Sequence, residues 1–164
     1  MSAFRKATTK PYRLVALVGP SGSGKTFSAL SLATHLGGPV ALISLEGCQG
    51  AEAFPQVLHA EVTDLDSLLE ALREAYKARY PVVVVDCLSS FYRGPNGLMT
   101  LVDRHGDAGW SLMDDKLTEL WRAFHLYPGH IVCTLRAEEV RLVVVREGDE
   151  TLVFGLGLAF CVFE

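Results

Sequence analysis

A glycine-rich loop followed by a cation and a hydroxyl is the part of the sequence best suited to chemistry. In G19-P-S-G-S-G-K-T26, the spacing G-x-x-x-x-G-K-T matches a phosphate-binding loop, or P-loop. Glycines let successive backbone N–H groups turn towards phosphate oxygens, and a helix that begins here adds its positive N-terminal end. Lys25 is expected to reach the β- and γ-phosphates of ATP, and the Thr26 hydroxyl to bind Mg²⁺. The predicted nucleotide-binding residues are Gly19, Pro20, Ser21, Gly22, Ser23, Gly24, Lys25, Thr26 and Phe27.

Two acidic residues end apolar runs further along the chain. Asp86 closes P81-V-V-V-V-D86 and is predicted to hold Mg²⁺ together with Thr26, although an acid at this position is also compatible with a helix N-cap. Glu46 closes I43-S-L-E46 and is predicted to polarise an attacking water, or else to be a solvated loop residue. In a parallel sheet the carboxyl ends of the strands face the same crevice, so both acids are expected beside the P-loop.

The elements that must position these residues alternate between strands and helices. Apolar runs at 13–18, 40–45, 81–86 and 130–135 are predicted strands, with a further short run near 57–60. Segments 26–36, 63–79 and 111–126 have helical period, and the last carries an apolar stripe of Leu112, Leu117, Leu120, Trp121 and Phe124. This alternation predicts an α/β fold with a parallel sheet.

Two regions lie outside that alternation. Residues 91–110 are rich in Gly, Pro, Asn and Asp, and are predicted to form a long, mobile excursion. Residues 141–146 and 151–154 read as a hairpin around Gly148 and Asp149, followed by a last strand at 156–163.

Composition narrows the class of protein. A chain of 164 residues is expected to form a flexible tail at 1–11 and a single domain at 12–164. The net charge of −4 provides no general attraction for nucleic acid, so such a contact would need a local patch or an assembly.

The four cysteines form no C-x-x-C pair, the N-terminus is no secretory signal, and the apolar segment 152–163 is too short to span a bilayer. A reducing, cytoplasmic location is therefore predicted.

The order of these features resembles the RecA-like ATPase core. A P-loop is followed by a strand ending in Glu46, by an apolar strand ending in D86-C-L-S-S90, and by a helix and the strand H130-I-V-C-T-L135. The chain looks most like the small phage-encoded RecA-like ATPases of the AAA_24 and Sak-type groups, which are associated with single-strand annealing and recombination. The resemblance covers about residues 12–136.

This resemblance implies a fold, an activity and roles for the site residues. The implied fold is a three-layer P-loop NTPase with a RecA-like ASCE core: a mainly parallel, twisted sheet with helices on both faces and a C-terminal β-hairpin. An extra strand is expected between the P-loop strand and the strand of Asp86. The implied activity is Mg²⁺-dependent ATP hydrolysis in phage or bacterial DNA recombination. Lys25 and Thr26 would be the Walker A pair, Glu46 the catalytic glutamate and Asp86 the Walker B aspartate.

The resemblance also implies partners. A homo-oligomer, either a ring or a filament, is expected to act on single-stranded DNA with a single-strand DNA-binding or annealing protein, and no membrane is involved. Such assemblies complete each site with a cation from a neighbouring subunit, for which Arg141 or Arg146 are candidates; both are also compatible with solvated hairpin charges. A polar sensor is expected near the end of strand 130–135, at Thr134 or Arg136. Neither matches the glutamine or histidine that is usual in the family.

Two other functions fit the P-loop. A P-loop kinase would transfer phosphate to a small molecule or nucleotide, but R136-A-E-E-V-R141 is a meagre version of the arginine-rich lid that such enzymes carry. A nucleotide-switched binding module would bind ATP without appreciable turnover. For nucleic acid, the candidate segment is the one that contains Arg93, Arg104, His105 and Trp110, with an ordinary surface loop as the simpler interpretation.

Overall fold

The computed structural model describes residues 14–47, 50–137, 142–147 and 150–155, the last two ranges as backbone only. The predicted tail at 1–11, the turn at Gly148 and Asp149, and the predicted strand at 156–163 lie outside the described residues. The strands are β1 Leu14–Gly19, β2 Val40–Ser44, β3 Val57–Glu61, β4 Val82–Asp86, β5 His130–Arg136, β6 Leu142–Glu147 and β7 Glu150–Gly155. The helices are α1 Lys25–Leu36, α2 Leu65–Lys77, α3 Leu88–Arg93, α4 Met99–His105 and α5 Asp107–Leu126, with a 3₁₀ turn at Ala51–Ala53.

Five strands form one parallel sheet in the order β1-β5-β4-β2-β3. The predicted α/β class is therefore confirmed. β5 lies between β1 and β4, which is where the extra strand was expected between the P-loop strand and the strand of Asp86. Because every strand in this sheet runs in the same direction, the loops after β1, β2, β4 and β5 all open at one edge.

Helices cover both faces of the sheet, and the valines of β4 show why. Val82 and Val84 pack with α1 residues such as Leu30, whereas Val83 and Val85 pack on the opposite face with residues of α2, α3 and α5. Side chains alternate across a strand, so four successive valines require an apolar layer on each side. All four are fully buried, which confirms the three-layer arrangement.

Helix α2 is shorter than the predicted span 63–79, and its start is fixed by local hydrogen bonds. The Asp64 side chain accepts a hydrogen bond from the Ser67 backbone N–H, and the Ser67 hydroxyl accepts one from the Asp64 N–H. This capping box fixes the start at Leu65. The hydrogen bond from the Ser67 backbone, followed by the one from its side chain, lowers the pKa of Asp64.

The prediction of a mobile excursion at 91–110 was wrong. The segment contains the end of α3, all of α4 and the start of α5, which begins at Asp107 and not at 111. Its apolar residues Phe91 and Leu98 are buried in the main core. A Cβ on Gly109 would lie 2.4 Å from the Leu101 carbonyl oxygen, so this glycine allows α5 to approach α4 closely. Three of the glycines that suggested a loop from composition, Gly94, Gly97 and Gly109, instead permit tight packing.

The apolar stripe predicted for α5 was right in part. Leu120 and Phe124 are buried, and Leu117 and Trp121 pack against the core, with Trp121 making an edge contact with Phe124. Leu112 is exposed, and the neighbouring Met113 is buried instead.

A separate two-stranded sheet is formed by β6 and β7, which pair antiparallel from Leu142–Gly155 to Glu147–Glu150. The predicted hairpin is therefore confirmed in its backbone pairing. Among the described residues, the structure contains no helix with the length and hydropathy of a membrane-spanning segment.

Candidate nucleotide-binding site

The glycine-rich loop joins β1 directly to α1. Gly22 and Gly24 have φ values of 75° and 78°, in the left-handed region that glycine adopts without strain. The turn is closed by a hydrogen bond of 3.3 Å from the Ser23 N–H to the Pro20 carbonyl. Since the first N–H groups of a helix have no partner within the helix, this strand–loop–helix junction presents donors suited to an anion.

Lys25 begins α1 and folds over the loop. Its Nζ donates a hydrogen bond of 2.6 Å to the Pro20 carbonyl oxygen. The ammonium group is thus placed above the backbone that is predicted to surround phosphate oxygens. Lys25 thus lies where the loop joins α1, and its contact with the phosphates stays a prediction.

Asp86 contacts a hydroxyl from each of two other elements. The Thr26 Oγ1 of α1 donates to Asp86 Oδ2 at 2.7 Å, and the Thr134 Oγ1 of β5 donates to Asp86 Oδ1. Thr134 is fully buried, so its hydroxyl needs the carboxylate as a partner. Helix α3 has Cys87 as its N-cap and no side-chain cap bond, so Asp86 does not have the alternative role of N-cap.

The donor set fits Mg²⁺. A carboxylate oxygen and a hydroxyl within 2.7 Å are hard oxygen ligands, and Mg²⁺ in nucleotide sites takes few protein ligands and completes its shell with phosphate oxygens and water. Thr26 and Asp86 would hold the ion, which neutralises charge on the phosphates when bound.

Glu46 lies two residues beyond the end of β2, at the same edge of the sheet. Its carboxylate accepts a hydrogen bond of 2.5 Å from Ser90 Oγ, and Arg136 Nη2 lies 3.1 and 3.0 Å from its two oxygens. Both side chains of the ion pair are nearly half-exposed. Thus Glu46 is a partly exposed loop residue whose carboxylate is held by residues that follow β4 and end β5.

The two sensor candidates have different partners. Thr134 binds Asp86, and Arg136 binds Glu46, although both belong to β5. The sequence reasoning assigned no role to Ser89 or Ser90. Ser89 Oγ accepts a hydrogen bond of 2.9 Å from the Arg136 N–H, and Ser90 donates to Glu46. Their position directly after the strand that ends in Asp86 was the signal available, because short hydroxyl side chains there face the same crevice.

Phe27, predicted to contact the nucleotide, is 58% exposed on the first turn of α1. Its ring centroid lies 5.2 Å from that of Phe54, which follows the 3₁₀ turn after β2. Phe54 was not predicted. Exposed Phe27, one residue beyond Thr26, and partly buried Phe54 provide an apolar surface beside the predicted phosphate site.

A cleft of about 580 Å³ opens beside Glu46. Polar groups from several elements line it: Glu46, Thr63, Ser90, Arg93, Asn96 and Arg136. A cavity of this volume has the size of a small-molecule site. The cleft therefore adjoins the predicted hydrolytic residue, and neither Thr26 nor Asp86 is among the residues that line it.

Other residues considered from the sequence are placed elsewhere. Arg141 lies outside the described residues, and of Arg146 only the backbone is described. Trp110 is exposed on α5, Arg93 ends α3, and Arg104 and His105 end α4. Cys87 and Cys133 are free and buried, and burial raises the pKa of Cys133 to about 12, as expected of an apolar thiol. Cys48 and Cys161 lie outside the described residues.

Comparison with known proteins agrees with this geometry. A family model described as an AAA domain, AAA_24, matches residues 11–146. The matched range contains the P-loop, Glu46, Asp86 and the whole five-stranded sheet. No curated protein matches the chain.

Proposed function

The chain belongs to the AAA_24 family of AAA domains, which are nucleotide-binding P-loop ATPases, and from that premise we propose that it hydrolyses ATP in a Mg²⁺-dependent reaction. The observation that carries this proposal is the 2.7 Å hydrogen bond between Thr26 and Asp86. It brings the hydroxyl beside the P-loop lysine together with an acid from the centre of the sheet. Hydrolysis requires this pairing, because the metal-binding groups must converge beside the phosphates.

Each residue has a distinct task in the proposed reaction. The P-loop N–H groups and Lys25 bind the β- and γ-phosphates, and Thr26 and Asp86 hold the metal ion. Glu46 orients a water molecule whose oxygen forms a bond to the γ-phosphorus, while the bond from that phosphorus to the β–γ bridging oxygen breaks. The electron pair leaves with ADP, and the proton of the water passes to Glu46 and then to solvent. ATP and water thus become ADP, inorganic phosphate and a proton.

The Phe27–Phe54 pair indicates where the adenine ring of ATP would lie. Phe27 is two residues from Lys25 and exposed, so an adenine extending from the phosphate site can lie against Phe27 and Phe54. Stacking on an aromatic ring recognises the face of a base and not its edge, so this contact alone provides affinity with little choice among purines.

We further propose that the protein acts in DNA recombination and single-strand annealing. Its proposed partners are single-stranded DNA and an annealing or single-strand DNA-binding protein, and its proposed active form is a homo-oligomer. This role is supported by the resemblance in the order of motifs. The cleft is lined by two arginines, Arg93 and Arg136, and one acid, Glu46, so it carries a local excess of positive charge on a chain whose net charge is negative. Tyr92 also lines this cleft and provides an aromatic ring on which a nucleobase of DNA can stack.

Phosphate release assays test the proposal. Wild-type protein should release phosphate from ATP with Mg²⁺ and lose this activity in EDTA, and Lys25→Ala should lose nucleotide binding or turnover. Lys77→Ala, which removes an exposed lysine at the end of α2, is the matched control. Stimulation by an oligodeoxynucleotide supports the recombination role.

The cleft also keeps the kinase alternative open, since a cavity of about 580 Å³ next to Glu46 has room for a phosphate acceptor. A screen of nucleotides and small alcohols for acceptor phosphorylation separates that function from hydrolysis. ATP binding without phosphate release or acceptor phosphorylation would indicate the nucleotide-switched module.

A further inference from the structure

The carboxylate of Glu46 is held by side chains from two other parts of the fold. Arg136 Nη2 contacts both of its oxygens, at 3.1 and 3.0 Å, and Ser90 Oγ donates to Oε1 at 2.5 Å. We propose that Arg136 is a positioning residue that restrains Glu46, and that opening of this ion pair frees the carboxylate to act on the attacking water. The inference rests on the proposed hydrolysis, because it assigns a restraint to the residue that serves there as base.

The hydrogen bonds leave Glu46 one acceptor position, on Oε2, for water. A carboxylate offers about four acceptor positions, two on each oxygen. Oε1 already accepts from Ser90 and Arg136, and Oε2 accepts from Arg136. A water that Glu46 is to deprotonate must therefore share an oxygen with the guanidinium or displace it.

The attachment of Arg136 allows its side chain to move while its backbone stays fixed. Its N–H donates to Ser89 Oγ at 2.9 Å, and the following residue, Ala137, donates its N–H to the Gly19 carbonyl at 3.0 Å. The backbone is thus fixed between α3 and the P-loop. The side chain is 43% exposed and lines the open cleft, so the guanidinium can leave Glu46 by rotation into solvent.

The exposure of the Arg136–Glu46 ion pair determines how much its removal should change kcat. Ion pairs between exposed side chains are weak, because water and salt screen them. Opening this pair therefore costs little, and its removal is expected to raise kcat by about two- to fivefold. The same screening predicts that wild-type turnover rises with ionic strength, since salt weakens the restraint.

The test compares Arg136→Gln and Arg136→Lys with the wild type. The control is Arg73→Gln, which breaks an exposed pair of similar length, Arg73–Glu119 at 3.1 Å, between α2 and α5. Phosphate release at saturating Mg-ATP is measured from about 0.05 to 0.5 M KCl, a range over which the screening length falls severalfold. Nucleotide affinity is measured with a fluorescent ATP analogue, and folding by thermal melting.

Arg136→Gln should raise kcat at low salt about two- to fivefold without a change in nucleotide affinity, and its kcat should depend less on salt than that of the wild type. Arg136→Lys keeps the charge and should lie between the two. Arg73→Gln should behave as the wild type. If Arg136→Gln does not fold, Arg136→Met, which also removes the charge and keeps an unbranched side chain, takes its place and should raise kcat in the same way.

A fall in kcat in Arg136→Gln at unchanged affinity would overturn the proposal, because Arg136 would then assist the reaction. Equal salt profiles in Arg136→Gln and the wild type would overturn it as well. Failure of the hydrolysis proposal gives a different pattern, in which neither protein releases phosphate or Glu46→Gln has no effect on turnover. Turnover that depends on Glu46 but does not rise in Arg136→Gln refutes the restraint alone.

Discussion

Thr26 and Asp86 are 60 positions apart in the chain, yet the hydroxyl of one lies 2.7 Å from a carboxylate oxygen of the other. Thr26 belongs to the helix that follows the glycine-rich loop, and Asp86 ends the strand at the centre of the sheet. Their contact follows from parallel strands, because the strand that carries Asp86 and the strand that leads to Thr26 both end at the same edge. The proposed metal site depends on this pair.

Asp86→Asn is expected to weaken Mg²⁺ dependence most strongly. The amide keeps an acceptor for one hydroxyl but loses the charge that attracts the ion, so half-maximal turnover should require about tenfold more Mg²⁺ and kcat should fall about a hundredfold. Phosphate release measured against Mg²⁺ concentration checks this. Asp103→Asn, an exposed acid on α4, should leave the curve unchanged. An unaltered Mg²⁺ curve in Asp86→Asn would place the metal elsewhere.

Glu46→Gln should separate binding from hydrolysis. The glutamine keeps the size and an acceptor but cannot take the proton of water, so kcat should fall by about two to three orders of magnitude at unchanged nucleotide affinity. Single-turnover phosphate release and the affinity of a fluorescent ATP analogue measure the two quantities. Glu61→Gln, which alters the exposed acid at the end of β3 on the same sheet edge, is the matched control. Normal turnover in Glu46→Gln would rule out its role as base.

The capping box of α2 predicts a pH-dependent loss of stability. Because the pKa of Asp64 is lowered in the folded state, the charged carboxylate stabilises the fold above the unfolded value near 3.8, and this contribution disappears as pH falls through the folded pKa. Asp64→Ala should cost about 1 kcal/mol of unfolding free energy at pH 7. The cost should shrink as pH falls below 3.8. Urea unfolding at several pH values measures it, with exposed Asp103→Ala as the control. A cost that is constant with pH would show that the carboxylate charge contributes nothing.

Gly109→Ala should destabilise the packing of α5 on α4. The added methyl group would lie 2.4 Å from the Leu101 carbonyl oxygen, a backbone atom that cannot move without shifting α4. We expect a loss of about 1–3 kcal/mol of unfolding free energy. Ser111→Ala, an exposed position on the same helix, should be nearly neutral. Chemical denaturation of both variants provides the comparison, and a stable Gly109→Ala protein would mean that the two helices do not pack closely.

The sheet could be predicted because its signals are local. Four consecutive valines before Asp86 require burial on both faces, and the spacing from Gly19 to Thr26 requires a strand before it and a helix after it. The strand order was not contained in these signals. It came from the resemblance, and the placement of β5 beside the P-loop strand agrees with it.

The contacts of the site were harder to predict because they depend on side chains distant in sequence. Glu46 and Arg136 are 90 residues apart, and nothing in the local pattern of either predicts that they form an ion pair. Segment 91–110 was misjudged for a related reason. Gly94, Gly97 and Gly109 suggest flexibility by composition, whereas in the fold each lies close to a backbone carbonyl. The presence of glycine in a sequence alone does not distinguish a mobile loop from a site where two backbones pack closely.

Residues at the end of β5 contact the proposed metal site, the proposed catalytic glutamate and the phosphate loop. Thr134 binds Asp86, Arg136 binds Glu46, and the Ala137 N–H is bonded to Gly19 at the start of the phosphate loop. Residues two apart in a strand point to the same side, so a displacement of this one strand end reaches both carboxylates together. A force applied to the chain just after Ala137 would therefore displace three sets of groups together: those proposed to hold the ion, to activate the water and to enclose the triphosphate.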